Sequence, residues 1–247
     1  MNFKYTINPN YKNQENSLLD IEKYFNKSDR TIHKARNELK IIQLNNIDTV
    51  VKSFKIPNII NQIAYSFFRD SKAKKSYKYS LKIGKFTPEP IGYIEFYSNS
   101  LLKKSYFISE KFDYDFTIRE PLLNTDFPDR EEIFKAFAKF TLELHNANIF
   151  HNDYSPGNIL IKKENNNYIF KIVDINRMGF YKLNQTQRAK NFSKLWASDE
   201  ILTIIADEYS KGYTVNENFS NDILYYSNKN KKIKNFKKWL KGKKVND

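Results

Sequence analysis

The sequence contains no cysteine, so a disulfide framework, a thiolate metal site and a cysteine nucleophile are all excluded, while the compartment stays open. Glycine is scarce at six residues, and none lies between Met1 and Ile83. A glycine-rich loop whose backbone amides cradle phosphates therefore has no counterpart early in the chain. No uninterrupted apolar run approaches the length that spans a bilayer, and the N-terminal MNFKYTINPNYKNQ has no apolar h-region. These absences predict a cytoplasmic protein. Internal repeats are absent too.

What is present supports a folded domain. Aromatic residues make up 16% of the chain and hydrophobic residues 40%, enough for a packed core despite the many Lys and Asn. A length of 247 residues accommodates one large domain or two small lobes. The formal net charge is +14, from 42 basic and 28 acidic residues, and favours polyanionic partners: nucleic acid, an anionic membrane or a phosphorylated glycolipid. No nucleic-acid recognition motif is present, and charge alone reads no sequence, so nucleic acid is the least supported of the three.

The first part of the chain reads as β-rich. Phe3 to Ile7 is strand-like, and Glu38 to Leu44 with Thr49 to Phe54 forms two strands around the turn signal Asn45-Asn46, delivering Val50-Val51-Lys52. After Pro57, the apolar Ile59, Ile60, Ile63, Ala64, Phe67 and Phe68 recur at helical spacing, and a strongly basic helix from Ser71 to Lys82 follows. Ile91 to Tyr97 and Tyr106 to Phe112 are strand-like, and a polar connector between lobes lies near Glu110 to Pro121. Beyond it, Asp129 is placed to cap a helix carrying Ile133, Phe134, Phe137, Phe140 and Leu144. The segment from Thr186 to Tyr213 reads as helical, with Phe192, Leu195, Trp196, Ile201, Ile204 and Ile205 as core candidates.

The most informative stretch runs from Ile149 to Ile161 and contains HNDYSPGN, a loop with Pro-Gly punctuation feeding a strand. Its return partner is Tyr168 to Asp174, across the turn Asn165-Asn166-Asn167. A hairpin centred on Asn166 brings Asn158 opposite Asp174. A carboxylate and an amide oxygen converging in this way suit hard Mg²⁺. Asp153 on the same loop is placed to orient the proton of a substrate hydroxyl, and Lys52 at a strand end to hold nucleotide phosphates. His151 reads more as a shaper of the loop than as a proton carrier. Taken alone, an Asp-x-x-Pro-Gly-Asn loop is as often a plain turn, and a strand-end lysine is normally a solvated charge. Order along the chain raises both.

At these residues the chain resembles the protein-kinase-like superfamily, whose H-x-D-x-x-x-x-N catalytic loop is matched by HNDYSPGN from His151 to Asn158. Ile172-Val173-Asp174-Ile175-Asn176 resembles its metal-binding segment, and Val50-Val51-Lys52 its phosphate-binding strand. More narrowly, Val51 to Lys55, Ser71 to Tyr77, Thr87-Pro88-Glu89-Pro90 and Asp174-Ile175-Asn176-Arg177 look like the bacterial lipopolysaccharide kinases, which phosphorylate Kdo (3-deoxy-D-manno-octulosonic acid) or heptose on lipid A precursors. The resemblance covers about Arg36 to Trp196. It implies an α+β, bilobal protein-kinase-like fold, with a β-rich N-lobe over residues 1–112 and a helical C-lobe over 113–247. It also implies ATP and Mg²⁺ as cofactors. Asp153 and His151 become the catalytic pair, Lys52 and Glu110 the nucleotide contacts, and Asn158 and Asp174 the metal ligands.

Several positions depart from the superfamily pattern. The glycine-rich loop is missing, and the only acidic residue between Lys52 and Pro88 is Asp70, so the helix glutamate that normally pairs with the strand lysine has no equivalent. Lys78 occupies that helix position, leaving Asp70, or nothing, as partner for Lys52. Asn152 replaces the usual arginine, and no APE motif is found, which favours a glycolipid or small-molecule acceptor over a protein. The leading expectation is a monomeric kinase for an anionic glycolipid, the Kdo-lipid A precursor, with peripheral contact at the inner face of an anionic membrane. An aminoglycoside-type phosphotransferase and a pseudokinase scaffold for anionic lipid are the alternatives. Arg177 reads as a phosphate contact or, slightly preferred, an ion-pair partner of a carboxylate. His33 and His145 read as ordinary polar residues. The tail from Lys229 to Lys244, nine lysines around Ile233, Phe236, Trp239 and Leu240, is either a solvated end or an interfacial segment.

Overall fold

The apolar pattern builds two units, as seen in a computed structural model that describes residues 2–56, 58–165, 167–214 and 219–242. One unit comprises Met1–Asp113 together with Asp174–Asn176, and the other Tyr114–Val173 with Arg177–Asp247. The architecture is α+β, sheet-rich in the first unit and mainly helical in the second.

In the first unit, β1 (Asn2–Ile7) leads into the short helices α1 (Glu15–Leu19) and α2 (Ile21–Lys27). These two helices were not anticipated in a segment read as β-rich. Their signal is the spacing of Leu18, Ile21 and Phe25, which all enter the core. The strands β2 (Thr31–Lys34), β3 (Glu38–Leu44) and β4 (Ile47–Ser53) follow. Asn45 and Asn46 both take left-handed backbone angles, φ 43° and 68°, as a two-residue turn between twisted antiparallel strands requires. After α3 (Ile59–Ile63), its π-helical continuation Ala64–Phe68, and α4 (Lys72–Ile83), the strands β5 (Pro90–Ser98) and β6 (Leu101–Glu110) complete a six-stranded sheet of order β1-β5-β6-β4-β3-β2.

Strand β5 is buried along nearly its whole length because both its faces are covered. Ile91, Ile94 and Phe96 pack with Leu18, Ile21 and Phe25, while Tyr93 meets Tyr77 and Ala73 of α4. Ser71 caps α4, its side chain accepting the Lys74 N–H.

The second unit contains β7 (Phe116–Thr117), α5 (Arg119–Leu123), α6 (Arg130–Asn146), β8 (Ile149–His151), the hairpin β9 (Ile159–Glu164) and β10 (Asn167–Ile172), β11 (Met178–Phe180), and the helices α7 (Gln185–Phe192), α8 (Asp199–Ser210) and α9 (Phe219–Trp239). Phe134 and Phe137 of α6, Phe192 of α7, Tyr209 of α8 and Phe219 of α9 are almost wholly buried and form its core. Asp129 precedes α6 but does not cap it: it sits at φ 55°, and its carboxylate instead accepts hydrogen bonds from Lys163 and from Tyr168 Oη in the hairpin. Trp196, a core candidate from sequence, is 39% exposed, with Lys238 Nζ 5.5 Å from its ring centre.

The hairpin register differs by one residue from a turn centred on Asn166, which lies outside the described residues. Glu164 pairs with Asn167 and Ile159 with Ile172, so Asn158 stands opposite Val173, whose N–H donates to the Asn158 carbonyl at 2.9 Å. Asp174 is the residue after that pair, and at φ 58° it turns the chain out of the ladder.

Candidate functional site

In the second unit, HNDYSPGN is held as a rigid loop. His151 is fully buried; its Nδ1 accepts the Asp153 N–H at 3.0 Å, so the ring proton sits on Nε2, which donates to the Val173 carbonyl at 3.0 Å. Both ring nitrogens are thus engaged in shaping the loop. Tyr154, next to Asp153, is completely buried against Phe137, and its hydroxyl meets Thr141 Oγ1 at 2.9 Å. Burial pushes this phenol well above its ordinary range, so it remains a neutral anchor.

Asp153 itself is half-buried, and its carboxylate has no hydrogen-bond or ionic partner among the described residues. The Asn158 amide nitrogen donates to the Asp153 carbonyl at 2.9 Å and to Ser155 Oγ at 3.0 Å. These two acceptors fix the orientation of the amide and leave its Oδ1 without a partner among the described residues. Gly157 makes room for a cation: a Cβ there would lie 2.7 Å from the Arg119 guanidinium. Arg119 is exposed and carries no ion-pair partner among the described residues, and sequence reasoning passed over it because only the fold places α5 beside this loop.

In the first unit, Lys52 on β4 lies beside Phe107 of β6 and Leu39 of β3, and its Nζ donates to Asp174 Oδ1 at 2.6 Å. The lysine side chain is only 12% exposed. Asn176 Nδ2 donates to the same carboxylate oxygen at 2.6 Å. The structure therefore joins Lys52 to Asp174, residues distant in sequence. Asp70 is not the partner of Lys52; it is held by Lys74 at 2.9 Å and Lys78 at 2.7 Å, which keep its carboxyl below the usual carboxylate range against the opposing effect of burial. Glu110 ends β6 opposite Thr49, its N–H donating to the Glu89 carbonyl, and burial together with the Glu110 carboxylate pushes the Tyr11 phenol up. Arg177 is exposed, and no carboxylate pairs with it among the described residues.

In the second unit Asn158 offers an uncommitted amide oxygen, and in the first Asp174 offers a carboxylate paired with a lysine; each is an oxygen donor of the kind a hard divalent cation takes. Asp153 offers a carboxylate free to accept the proton of a hydroxyl.

Comparison with known proteins decides the family. The model of the lipopolysaccharide kinase (Kdo/WaaP) family matches residues 87–214, just over half of the chain. The chain belongs to this family. As a Kdo/WaaP family kinase it carries a phosphotransferase fold, and the solved structures agree: the chain is similar to "WaaP in complex with acyl carrier protein", with a TM-score of 0.59 at 12% identity, covering 93% of this chain and 99% of that one. That likeness shows a protein-kinase-like fold. A search of curated proteins returns no match in sequence. The matched span includes the whole HNDYSPGN loop and Asp174 but begins after Lys52.

A buried network supports the loop from behind, and nothing in the sequence marks it. His145 Nδ1 lies 2.8 Å from Tyr209 Oη and its Nε2 3.0 Å from Asn191 Oδ1, while Asn191 Nδ2 donates to the His151 carbonyl at 2.9 Å. Arg188 Nη1 donates to the same Tyr209 oxygen at 2.8 Å. His145 is thus the hub joining α6, α7 and α8 to β8.

Proposed function

We propose that this Kdo/WaaP family member transfers the γ-phosphoryl group of ATP to a hydroxyl of an inner-core sugar, Kdo or heptose, on an anionic lipid A precursor. The single observation that carries this reading is the HNDYSPGN loop, where the Asp153 carboxylate and the Asn158 Oδ1 are both uncommitted among the described residues while the His151 ring and the Asn158 amide nitrogen are held by hydrogen bonds. Asp153 orients the sugar hydroxyl and accepts its proton. Asn158 and Asp174 are the residues that would hold Mg²⁺, which would supply charge neutralisation at the phosphates. Lys52, already a charged partner of Asp174, balances the phosphate oxygens. The absence of a helix glutamate is offset by Asp174 itself, which keeps Lys52 in place. Arg119 and the net charge of +14 favour an anionic acceptor, in a cytoplasmic setting at the inner membrane.

The test is transfer of labelled phosphate from ATP to Kdo-lipid A and heptosyl-Kdo-lipid A by the full chain and by Asp153→Asn. The variant is expected to lose about two to four orders of magnitude in rate with an unchanged melting temperature, since the carboxylate holds no structural contact. Equal rates would refute the assignment of Asp153, and the absence of transfer in the wild type with either acceptor would favour a lipid-binding pseudokinase.

A further inference from the structure

The segment after β4 is amphipathic in the inverse sense. Its polar residues face the protein: Gln62 is 8% exposed and accepts from Lys103 Nζ at 3.2 Å through Oε1, and Ser66 Oγ accepts the Leu102 N–H at 3.0 Å. Its large apolar residues face outward instead. Ile60 is 73% exposed, Phe67 62% and Phe68 81%, with Ile59 and Ile63 on the same side. Ile59, Ile60, Ile63, Phe67 and Phe68 form the exposed side, while Gln62 and Ser66, four residues apart across the start of the π-helical turn, reach β6. The anchoring hydrogen bonds to β6 fix this orientation, so the stripe cannot roll inward without breaking them.

The remaining side of the same segment, through Asn58, Asn61 and Tyr65, borders a cavity of about 280 Å³ whose other lining residues include Arg36, Lys55 and Lys72 and no carboxylate among the described residues. Arg36 and Lys55 are exposed, and neither has an ion-pair partner among the described residues.

We propose that this stripe and this cavity together form a docking surface for an anionic lipid bilayer, with Ile59, Ile60, Ile63, Phe67 and Phe68 entering the acyl region while Arg36, Lys55 and Lys72 hold lipid phosphates. Exposed apolar groups gain by leaving water, and cations beside them select anionic headgroups; the two together are the signature of an interfacial element. The surface deepens the glycolipid reading and rests on it for the identity of the membrane lipid.

The experiment is sedimentation of the full chain, without nucleotide, with vesicles of phosphatidylcholine alone or containing a third phosphatidylglycerol. Ile60→Ser/Phe68→Ser and Arg36→Glu/Lys55→Glu are compared with Phe236→Ser/Trp239→Ser in the exposed end of α9. All six positions are exposed, so folding is not at stake, and circular dichroism confirms it. The expected result is binding to the anionic vesicles only, reduced at least tenfold by each of the first two variants and little changed by the third. Equal binding to neutral vesicles overturns the phosphate role of the cavity. Loss only in the α9 variant overturns the surface, as does a wild type that ignores vesicles but dimerises through the stripe. Asp153-dependent phosphorylation of a deacylated acceptor, measured in parallel, stands or falls separately.

Discussion

Acidification should weaken this protein through one histidine. His145 is fully buried and neutral; burial, with Arg188 nearby, pushes its pKa down to about 4, partly opposed by its hydrogen bond with Asn191. The network specifies the neutral ring. Asn191 turns its amide nitrogen to the His151 carbonyl, so its oxygen accepts the proton of Nε2, while Tyr209, already accepting from Arg188, directs its own hydroxyl proton at Nδ1. A second ring proton would displace that hydroxyl proton and place a cation beside a guanidinium. Because the folded-state pKa is depressed, the contribution is complete above about pH 6.5, where the unfolded histidine is neutral, and is lost as pH falls toward 4. The loss by pH 4 is about 3 kcal/mol. Urea unfolding at pH 7 and pH 4 of the wild type and His145→Gln measures it. The variant is less stable at pH 7 yet loses about 3 kcal/mol less between the two pH values, since carboxylate effects are common to both. Equal losses in the two proteins would refute the reasoning, as would NMR titration of the folded His145 ring near pH 6.5. With three histidines in the chain, assignment by single replacement is direct.

Asp174→Ala should abolish the thermal stabilisation produced by ATP and Mg²⁺, which for a ligand at a hundred times its Kd is about 2.7 kcal/mol in the wild type; a shift that persists in the variant removes Asp174 from the metal set. Tyr154→Phe leaves Thr141 with only its bond to the Phe137 carbonyl and should cost about 1 kcal/mol in urea unfolding, with no measurable change ruling out the anchor. Asn191→Ala strips partners from both His145 and the His151 carbonyl and should cost roughly 1–3 kcal/mol, while also slowing phosphoryl transfer by loosening the loop; normal stability would show that water replaces the amide at no cost.

The shape of the HNDYSPGN loop was legible locally. The spacing of His151, Asp153 and Asn158 is a property of one loop, and the turn residues Pro156 and Gly157 shape it over a few bonds, so order along the chain sufficed to mark it. The Asn45-Asn46 hairpin was readable for the same reason: both residues tolerate left-handed angles that the turn demands. Register was not readable, because shifting the β9–β10 turn by one residue leaves the sequence signals unchanged yet moves Asn158 from Asp174 to Val173. Nor was the partner of Lys52, since an ion pair across 122 residues depends on where the fold returns the chain, whereas Asp70 is captured by lysines four and eight residues on, in the helix that begins just after it. The stripe from Ile59 to Phe68 shows the difference most sharply. Periodicity reveals that apolar residues share one face of a helix, but only the hydrogen bonds of Gln62 and Ser66 to β6 decide that this face looks outward.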